Sequence, residues 1–471
     1  MRAIAAGLIG LATTALGLAP GVAAAQARPD QQAFRAIYQE LVETNTTLSV
    51  GSCTEAAAKM GARLKSAGFA DGDLTYFAEP SHPREGGLVA ILKGSDPKAG
   101  AVLLLGHLDV VEARREDWTR DPFTLVEENG YFYARGTADM KSIDAIWVDT
   151  LMRLKAGKTP PRRTLKLALT CGEETNEAFN GADWLAKNRP DLIRADFGLN
   201  EGGGGRLTPD GKRDVLSIQV GEKASQNFQL VVTNPGGHSS RPSPDNAIYH
   251  LAGALMKIQG YTFPVKLTET TRATFALRAE RGDAAGNALK ALLANPADAE
   301  AAKVAATDIN VNSILHTNCV ATRLDAGHAS NALPQRATAI VNCRIFPGET
   351  WQETQATLMR VMDDPKVAIA ALNPDKPIAI PPPLDPKVVE PMKAAAAKHF
   401  PGVPLVPAMS SGATDGLYFG PVKMAIYGVP GIFGDPDGGG VHGLNERLRV
   451  ASLYDGRDYL FDLVKVYVGA K

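Results

Sequence analysis

Hydrophobic positions along this chain follow two rhythms, and the change between them falls near residue 220. Phe34, Ile37 and Leu41 recur at the spacing of one helix face, as do Ala57, Met60 and Leu64, so residues up to about 80 read as helical. Short, mostly apolar runs follow at 88–92, 101–105 and 165–169, and residues 197–199 have the look of the end of a fourth. Residues 142–154 read as a helix, with Ile143, Ile146, Trp147 and Leu151 on one side. Apolar strands alternating with helices predict an α/β sheet covered on both faces.

Beyond residue 220 the strands become half-polar. Residues 226–232 alternate polar and apolar side chains, the mark of an antiparallel strand with one wet face. Residues 246–258 are helix-like, 283–307 are Ala-rich and charged as in a surface helical insertion, and 319–324 and 337–345 alternate again. The run Ile378-Ala379-Ile380-Pro381-Pro382-Pro383 reads as a linker, after which the α/β pattern resumes. A smaller α+β domain over 220–380 is therefore expected to interrupt a larger domain made of 28–219 and 381–471.

The first 27 residues differ from the rest. Arg2 precedes an apolar, uncharged run from Ala3 to Leu18; Pro20 and Gly21 break it, and small residues at 23–27 fit a cleavage site. This is the pattern of a secretory signal peptide, so the mature chain is expected to be exported, to periplasm or medium, with no membrane attachment. With 50 basic and 51 acidic residues the net charge is -1, which gives no pull towards nucleic acid. Export permits disulfides among Cys53, Cys171, Cys319 and Cys343. Cys319 and Cys343 lie on two strand-like runs and are placed to face each other, but free buried thiols are as consistent with the sequence.

The candidate chemistry collects after the strands. Residues 101–105 lead into Gly106-His107-Leu108-Asp109, where His107 and Asp109 point to one side of an extended chain. Asp139, in Gly136-Thr137-Ala138-Asp139-Met140-Lys141, precedes a helix and serves equally well as its N-cap. Residues 165–169 lead to Glu173-Glu174, adjacent carboxylates that a cation would hold ionised and that a solvated turn would also tolerate. Glu201 follows the run 197–199. His442 lies past a Gly- and Asp-rich loop, a place where a histidine is commonly just solvated. Carboxyl ends of strands are where open α/β sheets place ligands. Two histidines with several carboxylates, and no thiolate, suit zinc.

In order and spacing, the runs His107 to Val111, Gly136 to Lys141, Glu173-Glu174, Asn200 to Gly202 and His442 to Arg447 closely resemble the motifs of the co-catalytic di-zinc metallopeptidases. That family includes aminoacylase, carboxypeptidase G, carnosinase-type dipeptidases and succinyl-diaminopimelate desuccinylase. The resemblance implies an α/β, zinc-exopeptidase-like mixed sheet flanked by helices, with the inserted domain acting as a lid of the dimerisation type. It implies two Zn²⁺ per subunit, with Co²⁺ or Mn²⁺ as alternatives: one on His107 and Glu201, one on Glu174 and His442, bridged by Asp139. Asp109 would orient His107, Glu173 would be the general base and acid, and a cis peptide would follow Asp139.

In the lid, Pro235 to Pro242 resembles the loop whose histidine, here His238, stabilises an oxyanion, from the partner subunit in dimeric members. Asn331 and Arg344 would bind substrate, although His238 also suits a surface turn and Arg344 a buried structural role. Residues 410–416 resemble the loop that receives the substrate's C-terminal part. Some aminoacylase-like members carry an arginine where this chain has Leu417. The implied activity is hydrolysis of amide bonds in small peptides, of carboxypeptidase or dipeptidase type. Hydrolysis of N-acyl amino acids at the same centre is the alternative.

Overall fold

The computed structural model describes residues 28–175, 179–429 and 431–470. The expected signal segment, 1–27, lies outside the described residues. No helix among the described residues is long and apolar enough to cross a membrane.

Among the described residues the larger sheet has ten strands. At its centre Thr164–Thr170, Ala101–His107, Phe197–Asn200 and Ala425–Gly428 run parallel, side by side. Gly87–Leu92 and Leu74–Phe77 extend one side antiparallel, while Arg213–Glu222, Leu405–Ser410, Gly203–Leu207 and Phe433–Gly434 extend the other. The sheet is therefore mixed, as expected. Its central strands are apolar on both faces because both are covered. Val102, Leu104, Leu165, Leu167 and Leu169 face the helices Pro29–Val42, Cys53–Ser66, Lys141–Lys155, Pro386–His399 and Val450–Val468. Leu103, Leu105 and Ala168, one residue out of phase, face the helix Gly181–Asn188.

Lys141–Lys155 was expected to bury one side and is buried almost all round, Asp144, Asp149 and Thr150 included. Trp147 at its centre is wholly buried and donates its indole N–H to the Leu105 carbonyl at 3.0 Å. The two ends of the chain meet beside this helix. Arg457 of the last helix donates to Asp149 at 2.8 Å and to Asp30 of the first helix at 2.7 Å. Residues 74–77, expected as helix, form a strand, because Leu74-Thr75-Tyr76-Phe77 pairs with residues 87–90.

The second sheet, wholly antiparallel, orders its strands Asn318–Ala326, Arg336–Ile345, Ala224–Thr233 and Ala368–Ala371. The alternation in 226–232 is realised: Phe228, Leu230 and Val232 pack under the helices Ala247–Gly260 and Trp351–Met362, and the polar residues between them do not. Cys319 and Cys343 stand opposite each other in register and are joined as a disulfide. A second disulfide, Cys53–Cys171, was not anticipated. The Ala-rich insertion is more than a surface helix. The helices Glu269–Ala279, Ala284–Ala294, Ala299–Ala305 and Ile309–Leu315 enclose a small core of Phe275, Leu289, Leu292 and Leu315.

Candidate metal centre and catalytic cleft

Parallel pairing decides where the functional groups go. His107 pairs with Thr170, and Leu104 with Leu199, so three neighbouring strands end on one edge of the sheet. His107 is the last residue of its strand. Glu173 and Glu174 follow Thr170 through Gly172, at φ 96°, where a Cβ would lie 1.8 Å from the Phe179 carbonyl oxygen. Glu201 directly follows Asn200. Two loops bring the remaining groups: Asp139 just before Lys141–Lys155, and His442, itself at φ 58°, before Arg447–Arg449.

The five side chains expected as ligands fall into two groups sharing one member. His107 Nε2 lies 3.4 Å from Asp139 Oδ1 and 3.4 Å from Glu201 Oε1. His442 Nε2 lies 3.1 Å from Asp139 Oδ2 and 2.9 Å from Glu174 Oε2. Asp139 thus turns one oxygen to each group instead of capping its helix, which makes no side-chain cap. The Asp139–Met140 peptide is cis.

Two carboxylates behind these groups hold the loops. Asp109 was expected to orient His107 through its carboxylate. Instead its backbone carbonyl lies 3.0 Å from His107 Nδ1, with the carboxylate at 3.7 Å. The Asp109 carboxylate accepts the Glu174 backbone N–H at 2.9 Å, so it steers the second glutamate. Glu446, fully buried, was passed over in the sequence although it stands in the run His442 to Arg447. It accepts the backbone N–H groups of Gly136 (3.0 Å), Ala138 (2.7 Å) and Asp139 (3.1 Å), and Arg135 donates to it at 2.7 Å. One carboxylate therefore fastens the Asp139 loop to the His442 loop.

The donor set fits metal ions. A carbonyl only accepts, so His107 Nδ1 carries the ring proton and Nε2 offers a lone pair. That buried Nε2 has no hydrogen-bond partner. A proton placed there would reach its acceptors only at 3.4 Å, long for N–H···O. Ligand atoms about 3.3 Å apart are the edge of a tetrahedron with bonds of about 2.0 Å, the zinc–nitrogen and zinc–oxygen length. The electrostatics of the bare chain show the same crowding of charge. Burial raises the Asp139 carboxyl, but the adjoining His107 and His442 rings outweigh it and hold the group well below the usual range. Hydrogen bonds to Asp139 and Glu174 lift His442 to about 10. Burial pushes Glu201 up to about 7 against the pull of His107. Glu173 is raised well above an ordinary glutamate, first by burial and then by Glu201, Asp415 and Glu174, with His107 opposing.

Glu173, Asp139, Glu174, Glu201 and His442 line a cleft of about 410 Å³, with His107 buried behind them and Arg344, Lys376, Thr414 and Asp415 on its other walls. Arg344 reaches it from the second sheet, where it stands opposite Ser225 and Asn318. His238 and Asn331 do not reach it. They are exposed and sit together, Gly237–His238 pairing with Ala332–Leu333 and the Ser239 N–H donating to the Asn331 carbonyl at 3.0 Å. A larger groove of about 930 Å³, between the helical insertion and the second sheet, is lined by Tyr261, Phe263 and Val265 and holds none of the clustered carboxylates, so the smaller cleft is the candidate site.

Residues 103–466 match the model of peptidase family M20/M25/M40. The human N-fatty-acyl-amino acid synthase/hydrolase PM20D1 is 29% identical over 382 residues, 79% of this chain and 75% of the relative. Among solved structures, the M20 family metallo-carboxypeptidase Sso-CP2 from Sulfolobus solfataricus superposes with a TM-score of 0.71 at 20% identity, over 94% of this chain and 100% of the other. YXEP of Bacillus subtilis, described as a dinuclear metal binding peptidase from the M20 family, does so with a TM-score of 0.57 at 14% identity, over 94% and 99%. With the family's sequence match running through most of the chain and its fold through nearly all of it, this protein belongs to peptidase family M20/M25/M40, a family of metal-dependent hydrolases.

Proposed function

We propose that this protein hydrolyses the amide bond of small peptides that end in a free carboxylate, as a carboxypeptidase or dipeptidase, with two zinc ions at its centre. His107 and Glu201 would hold one ion, Glu174 and His442 the other, and Asp139 would serve both. Co²⁺ or Mn²⁺ suits the same nitrogen and oxygen donors. When bound, the ions supply Lewis acidity and make a nearby water more acidic.

The observation that carries this reading is Glu173. It is a carboxylate of raised proton affinity lining the cleft, in neither of the two groups that could hold a metal ion. Glu173 takes a proton from the attacking water and returns it to the leaving nitrogen, work that suits a carboxyl whose pKa is shifted towards neutrality. Arg344 binds the substrate carboxylate across the cleft. His238 donates to the oxyanion. Its Nδ1 accepts the Ser240 N–H at 3.2 Å, so the neutral ring keeps its proton on Nε2, the nitrogen left to donate. Since His238 lies outside the cleft of its own chain, a second copy docked through the lid delivers it, together with Asn331. The leader at 1–27 directs this chemistry outside the cytoplasm.

A second reading, hydrolysis of N-acyl amino acids, is favoured by the similarity to PM20D1. Both substrates present an amide next to a free carboxylate, so the reacting groups keep their roles. Zinc-loaded protein assayed against dipeptides and N-acyl amino acids side by side separates the two by kcat/KM. Replacing the substrate carboxylate by an amide, or making Arg344→Met, is expected to raise KM roughly 10- to 100-fold, the worth of a charge-assisted hydrogen bond. Activity that survives exhaustive chelation would overturn the metal assignment.

A further inference from the structure

Glu173 must be aimed by the backbone beneath it, because no side-chain hydrogen bond among the described residues holds its carboxylate. The peptide plane that leads into Glu173 contains the Gly172 carbonyl. That carbonyl accepts from Asn180 Nδ2 at 3.1 Å. The same amide donates to Asp415 Oδ1 at 2.7 Å, and Asn180 Oδ1 accepts the Asp183 N–H at 2.8 Å, at the start of the helix Gly181–Asn188. Every hydrogen-bonding group of the Asn180 amide is thereby engaged except one lone pair.

Asp415 does not stop at Asn180. Its second oxygen, Oδ2, lies 2.8 Å from Thr170 Oγ1, at the last residue of the strand, and that hydroxyl is also 3.1 Å from the Gly106 carbonyl. One buried carboxylate, 2% exposed, therefore clasps the point where the chain leaves the sheet and the point where it enters the next helix. Glu173 lies between them. The clasp is itself braced: the Thr414 N–H donates to Glu222 at 2.9 Å, and Thr414 caps the short helix Asp415–Phe419. Removing Asp415 leaves an amide hydrogen of Asn180 without its acceptor and frees the amide that fixes the Gly172–Glu173 peptide.

We propose that Asp415 is a positioning residue of the reaction, setting the aim of Glu173 through Asn180 and the Gly172 carbonyl. This rests on Glu173 being the general base. The test is steady-state kinetics of zinc-loaded Asp415→Ala and Asp415→Asn beside the unsubstituted protein, with bound metal measured in each. Asp415→Ala is expected to lower kcat about 100-fold, the cost of a misplacement near 1 Å, while KM and metal content change less than about threefold. Asp415→Asn is expected to return kcat to within about tenfold of the original. Its oxygen still accepts from Asn180, and its amide donates to Thr170 Oγ1, whose hydroxyl turns to the Gly106 carbonyl. Thr170→Val with Asp415→Ala should cost no more than the two singly, because both belong to one network. Three results would overturn the inference: Asp415→Ala keeping kcat within threefold, metal lost in step with activity, or Asp415→Asn faring no better than Asp415→Ala. An unsubstituted protein that hydrolyses no amide would take down the functional reading as well, whereas an active protein indifferent to Asp415→Ala sinks this inference alone.

Discussion

Two regions supply side chains to the proposed reaction, and they are built to opposite specifications. At the edge of the large sheet, the clustered groups are tied down from behind: Glu446 holds the Asp139 loop by three N–H groups and Asp109 holds Glu174. At the rim of the second sheet, His238 and Asn331 are exposed, and the local bond to His238 comes from its near neighbour Ser240. The first region is assembled within one chain. The second is an exposed surface, and on the proposed reading it would act only when a second copy is brought to it. Groups that must share a charged centre need a rigid frame, because each carries a large electrostatic cost when misplaced, whereas a donor delivered from outside needs only a stable loop.

The sharpest way to break this comparison is to remove the base. Glu173→Ala is expected to lower kcat by roughly 10²- to 10⁴-fold with both metal ions retained, as metal analysis beside the kinetics would reveal. A near-normal rate would leave the large-sheet edge without its chemistry. Next in size is Glu446→Ala. It strands the Arg135 guanidinium, which is only 3% exposed, and releases three backbone donors. The expected loss of stability is about 3–5 kcal/mol, read by denaturant unfolding, with metal content falling too; the same substitution without effect would show that the edge needs no frame.

His238→Ala is expected to lower kcat by about 10²- to 10³-fold, the usual cost of an oxyanion donor. It also gives the cleanest contrast between the regions. If the donor comes from a second copy, mixing inactive His238→Ala and Glu173→Ala proteins restores part of the activity. No recovery on mixing would place His238 and Glu173 in the same chain's service.

The most gradual effect belongs to the junction of the two regions, where burial lifts the Glu222 carboxyl to about 8 against hydrogen bonds from Thr414. Folded protein then keeps a proton that the unfolded chain releases from the ordinary glutamate range upward. Stability is expected to fall as pH rises between about 4.5 and 8, by at most about 1.4 kcal/mol per pH unit. Glu222→Gln, whose oxygen still accepts from Thr414, should flatten that slope in thermal unfolding measured at pH 5 and 8.

Much of this arrangement was legible along the chain, for a physical reason. Parallel strands buried on both faces leave unbroken apolar runs, and the residue after each run must lie at one edge. His107, Glu173, Glu174 and Glu201 could be grouped by that rule, Asp139 and His442 joined them in the inventory of metal donors, and the resemblance assigned their roles. The chain could not be read where function depends on a contact across a long stretch of sequence. Glu446 meets Asp139 from 307 residues away and Asp415 meets Asn180 from 235, and neither leaves a local pattern. Asp109 shows the same limit at short range. Spacing put it beside His107, but only the turn itself decided that its carbonyl, and not its carboxylate, faces the ring. The all-round burial of Lys141–Lys155 escaped because Asp149 sits on what would be a solvated side, and Arg457, from the far end of the chain, is the nearer of the two arginines that make that tolerable.

The bridge between Cys53 and Cys171 spans 118 residues and ends two positions before Glu173. Closing so long a circuit removes conformations from the unfolded chain worth about 4–5 kcal/mol. The strand end that presents the proposed base is thus welded to the helix Cys53–Ser66, and the weld is made by oxidation. Chain matured among reductants would carry Glu173 on a strand end lacking that weld. For this protein the redox state of its surroundings during folding is part of the recipe for its active edge.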